Sequence, residues 1–227
     1  TSLPCRFRRE YRDLDRSFNS PESLLLIGNS DKVPLMQDLL FSRDRSVLAV
    51  IDVQDVFLDK LPTDARAPLV GRVTWLIGAA VALGVPVVAM AEDLARNGPP
   101  VAPVLAALPE GTTIHDKRVF GLAGQSGILA AMQATGRDQA ILVGLETDVC
   151  IAQSALGLLG AGFRVGAVAD ATGAPGDCHQ AGLDRMRDAA VAITTVKGVY
   201  YEWVRDLDTL DRIKPLIGSA LPDGLTL

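Results

Sequence analysis

Cysteine is scarce in this chain of 227 residues, with only Cys5, Cys150 and Cys178 present. An odd number at no framework spacing excludes a disulfide-stapled scaffold and suits a reducing compartment, so a cytoplasmic protein is expected. A surplus of positive charge is missing too. Twenty-two Lys and Arg stand against 27 Asp and Glu, for a formal charge of −5. That balance excludes the basic footprint of a nucleic-acid binder or of a protein held on an anionic membrane surface. A membrane-spanning run is also lacking. "WLIGAAVALGVPVVAMA", residues 75 to 91, carries no charge, but it is at the lower limit of length for a bilayer, and Gly84 and Pro86 divide it. It reads as a helix ending at Leu83, a Gly84 cap, and a strand from Val85 to Met90. No signal-peptide pattern is evident.

What is present describes a globule with a large core. Hydrophobic residues make up 48% of the chain and the mean hydropathy is +0.25, which leaves little room for disorder. The length suits one α/β domain better than two. Residues 1–45 differ from the rest, since "TSLPCRFRREYRDLDRSF" is rich in Arg and Asp and lacks a long apolar face. They are expected to form an N-terminal arm, either without chemistry or packed on a neighbouring subunit. Residues 46–227 form the expected domain.

From Ser46 onward, apolar runs alternate with helical stretches. Strands are expected at 47–53, 85–90, 112–115, 139–143, 164–169 and 191–196. Helices are expected at 67–83, 101–108, 125–134, 148–160 and 177–190, with a helical remainder. Strands that are apolar on both faces and separated by helices predict a doubly wound, three-layer α/β fold around a mainly parallel sheet. In such sheets ligands bind beyond the carboxyl ends of the strands, where the strand order reverses.

Three chemically capable side chains fall at such ends. Asp52 follows the first apolar run in "AVIDVQDVF", Lys117 follows the third in "IHDKRVFG", and Cys150 follows the fourth in "GLETDVCIA". A thiol at a helix N-terminus beside an ammonium ionises more easily, and a neighbouring carboxylate can take its proton and later return it to a leaving amine. Each residue also has a plainer reading: Cys150 as core filler, Asp52 as a capping acid, Lys117 as a surface lysine. Phe57 and Phe120 either line a substrate pocket or fill the core. Glu92 either reads a substrate amine or faces solvent. Cys178 and His179 are adjacent, so they do not face each other on a helix, and they read as incidental.

The stretches "VLAVIDVQDVF", "LGVPVVAM", "HDKRVFG" and "GLETDVCIAQSALGLLGAGFRVGAVADAT" together resemble the isochorismatase-like (cysteine hydrolase) family over residues 46 to 196. Within it, "GLETDVCI" and the acidic "AED" after the second strand are similar to isochorismatase-domain proteins of poorly known substrate. The resemblance implies a sheet in the order 3-2-1-4-5-6 and a triad of Asp52, Lys117 and Cys150. It also implies a non-proline cis bond at Leu145–Glu146 and an oxyanion hole from the backbone amides of Glu146 and Cys150. Thr147 is the expected N-cap of the helix that follows.

The departures from the family pattern are as informative. Family members with a metal carry an Asp and several His after the second strand, where this chain reads "AEDLARNGPPVAP" and has only His115 and His179 in total. No metal and no other cofactor is expected. The cysteine favours hydrolysis of a small amide, ureide or related C–N bond. A vinyl-ether hydrolase of the isochorismatase type and a non-catalytic, redox-sensing protein stay open as alternatives. The expected partners are a small-molecule substrate and further copies of the chain, as a dimer or tetramer.

Overall fold

The computed structural model describes residues 38–217 and 220–227. Its strands are β1 (Ser46–Ile51), β2 (Val87–Glu92), β3 (Ile114–Lys117), β4 (Gln139–Leu145), β5 (Arg164–Gly173) and β6 (Ala192–Thr194). They pair in parallel throughout, in the order β3-β2-β1-β4-β5-β6. The central pair, β1 and β4, is buried along its whole length, which is why SVLAVI and QAILVGL read as continuous rather than alternating hydrophobic runs.

Helices α1 (Asp55–Leu58), α2 (Thr63–Ala82), α3 (Leu94–Asn97), α4 (Ala102–Ala107), α5 (Ser126–Ala134), α6 (Ala152–Gly160), α7 (Cys178–Asp188), α8 (Val196–Val204) and α9 (Leu207–Ile217) complete the described chain. The pleat of β1 sorts them into two layers. Leu48 and Val50 point into a core with Leu76 of α2, Trp203 of α8 and Ile213 of α9. Val47, Ala49 and Ile51 point into the opposite core, with Met132 of α5, Leu158 of α6 and Met186 of α7. Alternate residues of one strand thus anchor both faces of the three-layer fold. Among the described residues no helix is long and apolar enough to cross a membrane.

Several expected boundaries move by one to four residues, and two of the shifts matter. β2 runs to Glu92 and β3 runs to Lys117, so two charged residues expected beyond the strands belong to them. The expected helix over 148–160 is split, with a π-helical turn at Thr147–Ile151 before α6. Of the expected arm, residues 1–37 lie outside the described residues. The remaining segment leads directly into β1, with Phe41 buried under the Arg164 guanidinium, 4.2 Å from the ring centroid.

Gly144 sits where β1 and β4 come closest. It faces Ile51 with φ of +119°, and a Cβ placed there would lie 1.8 Å from the Ile51 carbonyl oxygen. Both the backbone conformation and the close approach exclude any side chain. Gly144→Ala is expected to cost at least about 3 kcal/mol, read as a fall in urea midpoint at unchanged m.

Candidate active site

The end of β1 delivers Asp52 in a left-handed conformation, φ +52°, with its side chain wholly buried. Asp is among the few non-glycine types that tolerate this region, and a buried acid held there makes the position a candidate for function. The following Gln54 acts as a piece of backbone. Its Oε1 accepts the Glu92 amide at 2.8 Å, and its Nε2 donates to the carbonyls of Glu92 at 3.0 Å and Gly98 at 2.7 Å. That clip holds the end of β2 beside the end of β1.

Lys117, the last residue of β3, reaches inward with no exposed surface. Its Nζ lies 2.9 Å from Asp52 Oδ2, 3.6 Å from Glu92 Oε2 and 3.7 Å from Cys150 Sγ. The same ammonium donates to the carbonyls of Val119 at 2.8 Å and Phe120 at 3.3 Å, because the chain after β3 curls back over it. Neither Asp52 oxygen has a partner in good hydrogen-bonding geometry. The short contact to Lys117 is therefore chiefly an ion pair, and Asp52 keeps spare acceptor capacity.

Cys150, 1% exposed, occupies the π turn rather than an α-helical first turn. The Glu146 carbonyl accepts the amides of Val149 at 3.2 Å and Ile151 at 3.0 Å, and not that of Cys150 between them. A π turn of this kind recurs at functional sites, where it re-aims the side chains it carries. The preceding Leu145–Glu146 bond is cis. The Glu146 side chain is turned to Lys60, 3.0 Å away.

The charges shift one another's proton affinity. Burial pushes the Asp52 carboxyl up to about 6, against the pull of Lys117. Burial alone would lower Lys117, but Asp52 and then Cys150 and Glu92 hold it above the ordinary lysine value. Burial and the Asp52 charge push the Cys150 thiol up, with only Lys117 opposing them. Against the expectation of a readily ionised thiol, the resting sulfur keeps its proton, donates toward Glu92 Oε2 at 3.6 Å and stands beside the buried Asp52 carboxylate. Asp52, Glu92 and Cys150 present three atoms within 4.8 Å of one another, a set able to ligate a metal. The Lys117 ammonium stands among all three, so the position of a cation is already filled.

Glu92, Lys117 and Phe120 line a cavity of about 130 Å³ together with Asp93, Arg118 and Val119. Arg118 and Asp93 form an ion pair at its edge. Phe57 is not among the residues lining this cavity. It is 7% exposed, packs in the core with Val53 and Leu61, and carries Lys60 over its ring at 4.8 Å. Thr147 does not cap the helix: its Oγ1 pairs with His179 Nδ1 at 2.8 Å. His179, read as incidental in the sequence, is thus attached to the turn that carries the thiol. Cys178 beside it is exposed, and Asp148 in particular raises its pKa. The Gln54 clip was not foreseen either, and its only signal was a buried amide two residues after the strand-end acid.

Fold and site together define a doubly wound α/β domain with a buried acid, lysine and cysteine at the switch point of the sheet. The family model of the isochorismatase domain matches residues 46–198. Isochorismatase domain-containing protein 1 of Danio rerio is 30% identical over 222 residues, covering 95% of this chain and 76% of that protein. Isochorismatase domain-containing protein 2 of the same organism is 30% identical over 183 residues, covering 78% and 89%. Among solved structures, the YcaC gene product of Escherichia coli, described as an octameric hydrolase of unknown specificity, superposes with a TM-score of 0.68. It is 23% identical, covers 79% of this chain and 93% of that one, and supports the fold alone. The chain belongs to the isochorismatase family, and that membership supports a hydrolase.

The raised Asp52 pKa has a measurable consequence. Between the usual aspartate value of 3.8 and about 6 the folded protein binds more protons at Asp52 than the unfolded chain. Stability through this group is therefore full below that window and lost as pH rises through it. Chemical denaturation at steps across this range should show wild type losing stability relative to Asp52→Asn as pH increases, with the difference constant above it.

Proposed function

We propose that the protein is a metal-independent cysteine hydrolase that cleaves a small amide, ureide or related C–N bond. The observation that carries this reading is the Lys117 ammonium, buried within 2.9 Å of Asp52 and 3.7 Å of Cys150. Cys150 is the nucleophile, Asp52 the general base and then acid, and Lys117 the electrostatic partner that keeps Asp52 ionised at neutral pH. As sulfur bonds the carbonyl carbon, the thiol proton passes to Asp52 and the carbonyl π pair moves to oxygen. The backbone amides of Glu146 and Cys150 receive that oxyanion. Collapse breaks the C–N bond, and the leaving nitrogen takes the proton from Asp52. Water then attacks the thioester, giving one proton to Asp52, and the departing sulfur regains it.

A thiol held protonated in a buried site fits this coupled transfer. A free thiolate would need no base, whereas this sulfur becomes nucleophilic as it gives up its proton. The cavity of about 130 Å³ opens onto Lys117 and Glu92, both in contact with Cys150, and its modest size suits a small substrate. Glu92 and Phe120 line it, Glu92 as an acceptor for substrate N–H groups. Phe57 supports the wall from the core. We place the protein in the cytoplasm as a homo-oligomer, in keeping with the octameric assembly described for YcaC of Escherichia coli. The hydrolase domain of this reading is residues 46–227, preceded in sequence by the extension of residues 1–45.

The test is ammonia release from a panel of small amides and ureides by wild type and Cys150→Ala. One or more substrates should be turned over by wild type, and Cys150→Ala should lose at least about a thousandfold in kcat/KM, as expected for removal of a nucleophile that forms a covalent intermediate. Activity retained in Cys150→Ala overturns the mechanism. Elemental analysis of the active protein should find no stoichiometric zinc, iron or manganese, and chelators should leave turnover intact.

A further inference from the structure

The nucleophile turn is held from outside the triad. Thr147 is fully buried, and its Oγ1 meets Nδ1 of His179 at 2.8 Å, across 32 residues of sequence. Thr147 Oγ1 has no other hydrogen-bond partner among the described residues. A hydroxyl that is to donate its proton must then give it to Nδ1, which requires the imidazole tautomer with its proton on Nε2. Burial lowers the His179 pKa and favours that neutral ring. A second contact comes from the same helix face. A Cβ on Gly182 would lie 2.8 Å from the backbone of Thr147 and Asp148, so α7 presses directly on the turn one helical turn beyond His179.

We propose that His179 is a positioning residue for the hydrolase reading above: through Thr147, and with the bare backbone of Gly182, it clamps the π turn so that the Cys150 thiol faces Asp52 and Lys117. The sequence distance hides this relationship, because α7 belongs to the crossover after β5 while the turn follows β4. The need for a clamp is physical. A π turn gives up regular i→i−4 bonds. The Glu146 carbonyl holds Val149 and Ile151, so the segment bearing the thiol depends on side-chain contacts to stay in one orientation. A displacement of about 1 Å in such a nucleophile costs on the order of a hundredfold in rate.

The test separates positioning from folding and from the nucleophile reading itself. The probe is iodoacetamide, with alkylation of Cys150 followed by site-resolved mass spectrometry across about pH 5.5 to 9.5, since thiol reactivity follows the proton. Wild-type Cys150 should react at a rate that levels off above the Asp52 transition near pH 6, because Asp52 rather than bulk solvent takes its proton. In His179→Phe and Thr147→Val, which lose the hydrogen bond, the plateau should give way to a rate that climbs through about pH 8.5 and beyond, as for an unassisted thiol. The double variant should go no further than either single one, since both remove one interaction. His179→Asn and Thr147→Ser, which retain an acceptor and a hydroxyl, should keep the wild-type profile. Where one of the two deleting variants loses its cooperative melt, the other carries the comparison. A wild-type plateau with an unchanged profile in His179→Phe, or additive effects in the double variant, overturns the clamp and leaves the nucleophile standing. A wild-type Cys150 with no plateau overturns both.

Discussion

One buried ammonium organises this protein. Lys117 has no exposed surface and stands among two carboxylates, a thiol and two carbonyls. An isolated charge in such a place costs several kcal/mol or more, and the penalty falls only when opposite charge and hydrogen bonds are supplied together. Each of β1, β2 and β4 contributes to that supply: Asp52 follows β1, Glu92 ends β2, and Cys150 follows β4. The strand order that places β1 between β2 and β4 is what allows three acceptors from distant parts of the sequence to meet one cation.

The same arrangement explains why the sulfur and the acid are tuned against each other. Lys117 keeps Asp52 a carboxylate at neutral pH despite burial, and that carboxylate is then the main charge holding the proton on sulfur. In the proposed mechanism reactivity belongs to the pair, because moving the proton from sulfur to Asp52 leaves the net charge of the buried cluster unchanged.

The fold was legible where hydrophobic pattern carries the information. SVLAVI and QAILVGL could hardly be anything but strands buried on both faces, and the short linkers between strand and helix left few topologies open. The exact sheet order came through resemblance rather than periodicity. Legibility failed at the ends of β2 and β3, where the apolar pattern stops short of Glu92 and Lys117 but the strands include them. Charged residues there are buried by neutralising one another, and a one-dimensional reading prices each as though it were alone. Asp52, Lys117 and Cys150 were legible as candidates because they fall next to strand ends, and the structure brings the three side chains together. Gln54, Thr147 and His179 were missed as a supporting set because their roles rest on contacts between segments that the sequence keeps apart.

The Gln54 clip has a consequence for how such a site changes over time. It grips residue 92 through main-chain N–H and C=O alone, so the hold on that strand end does not depend on which side chain the position bears. Evolution can therefore exchange the acid that borders the cavity without loosening the scaffold. A substitution at position 92 changes the cavity wall and withdraws one carboxylate from Lys117 and Cys150, while the main-chain hold on the strand end stays. Main chain and side chain of one residue thus carry separate duties, the first securing the strand end and the second balancing charge in the buried cluster.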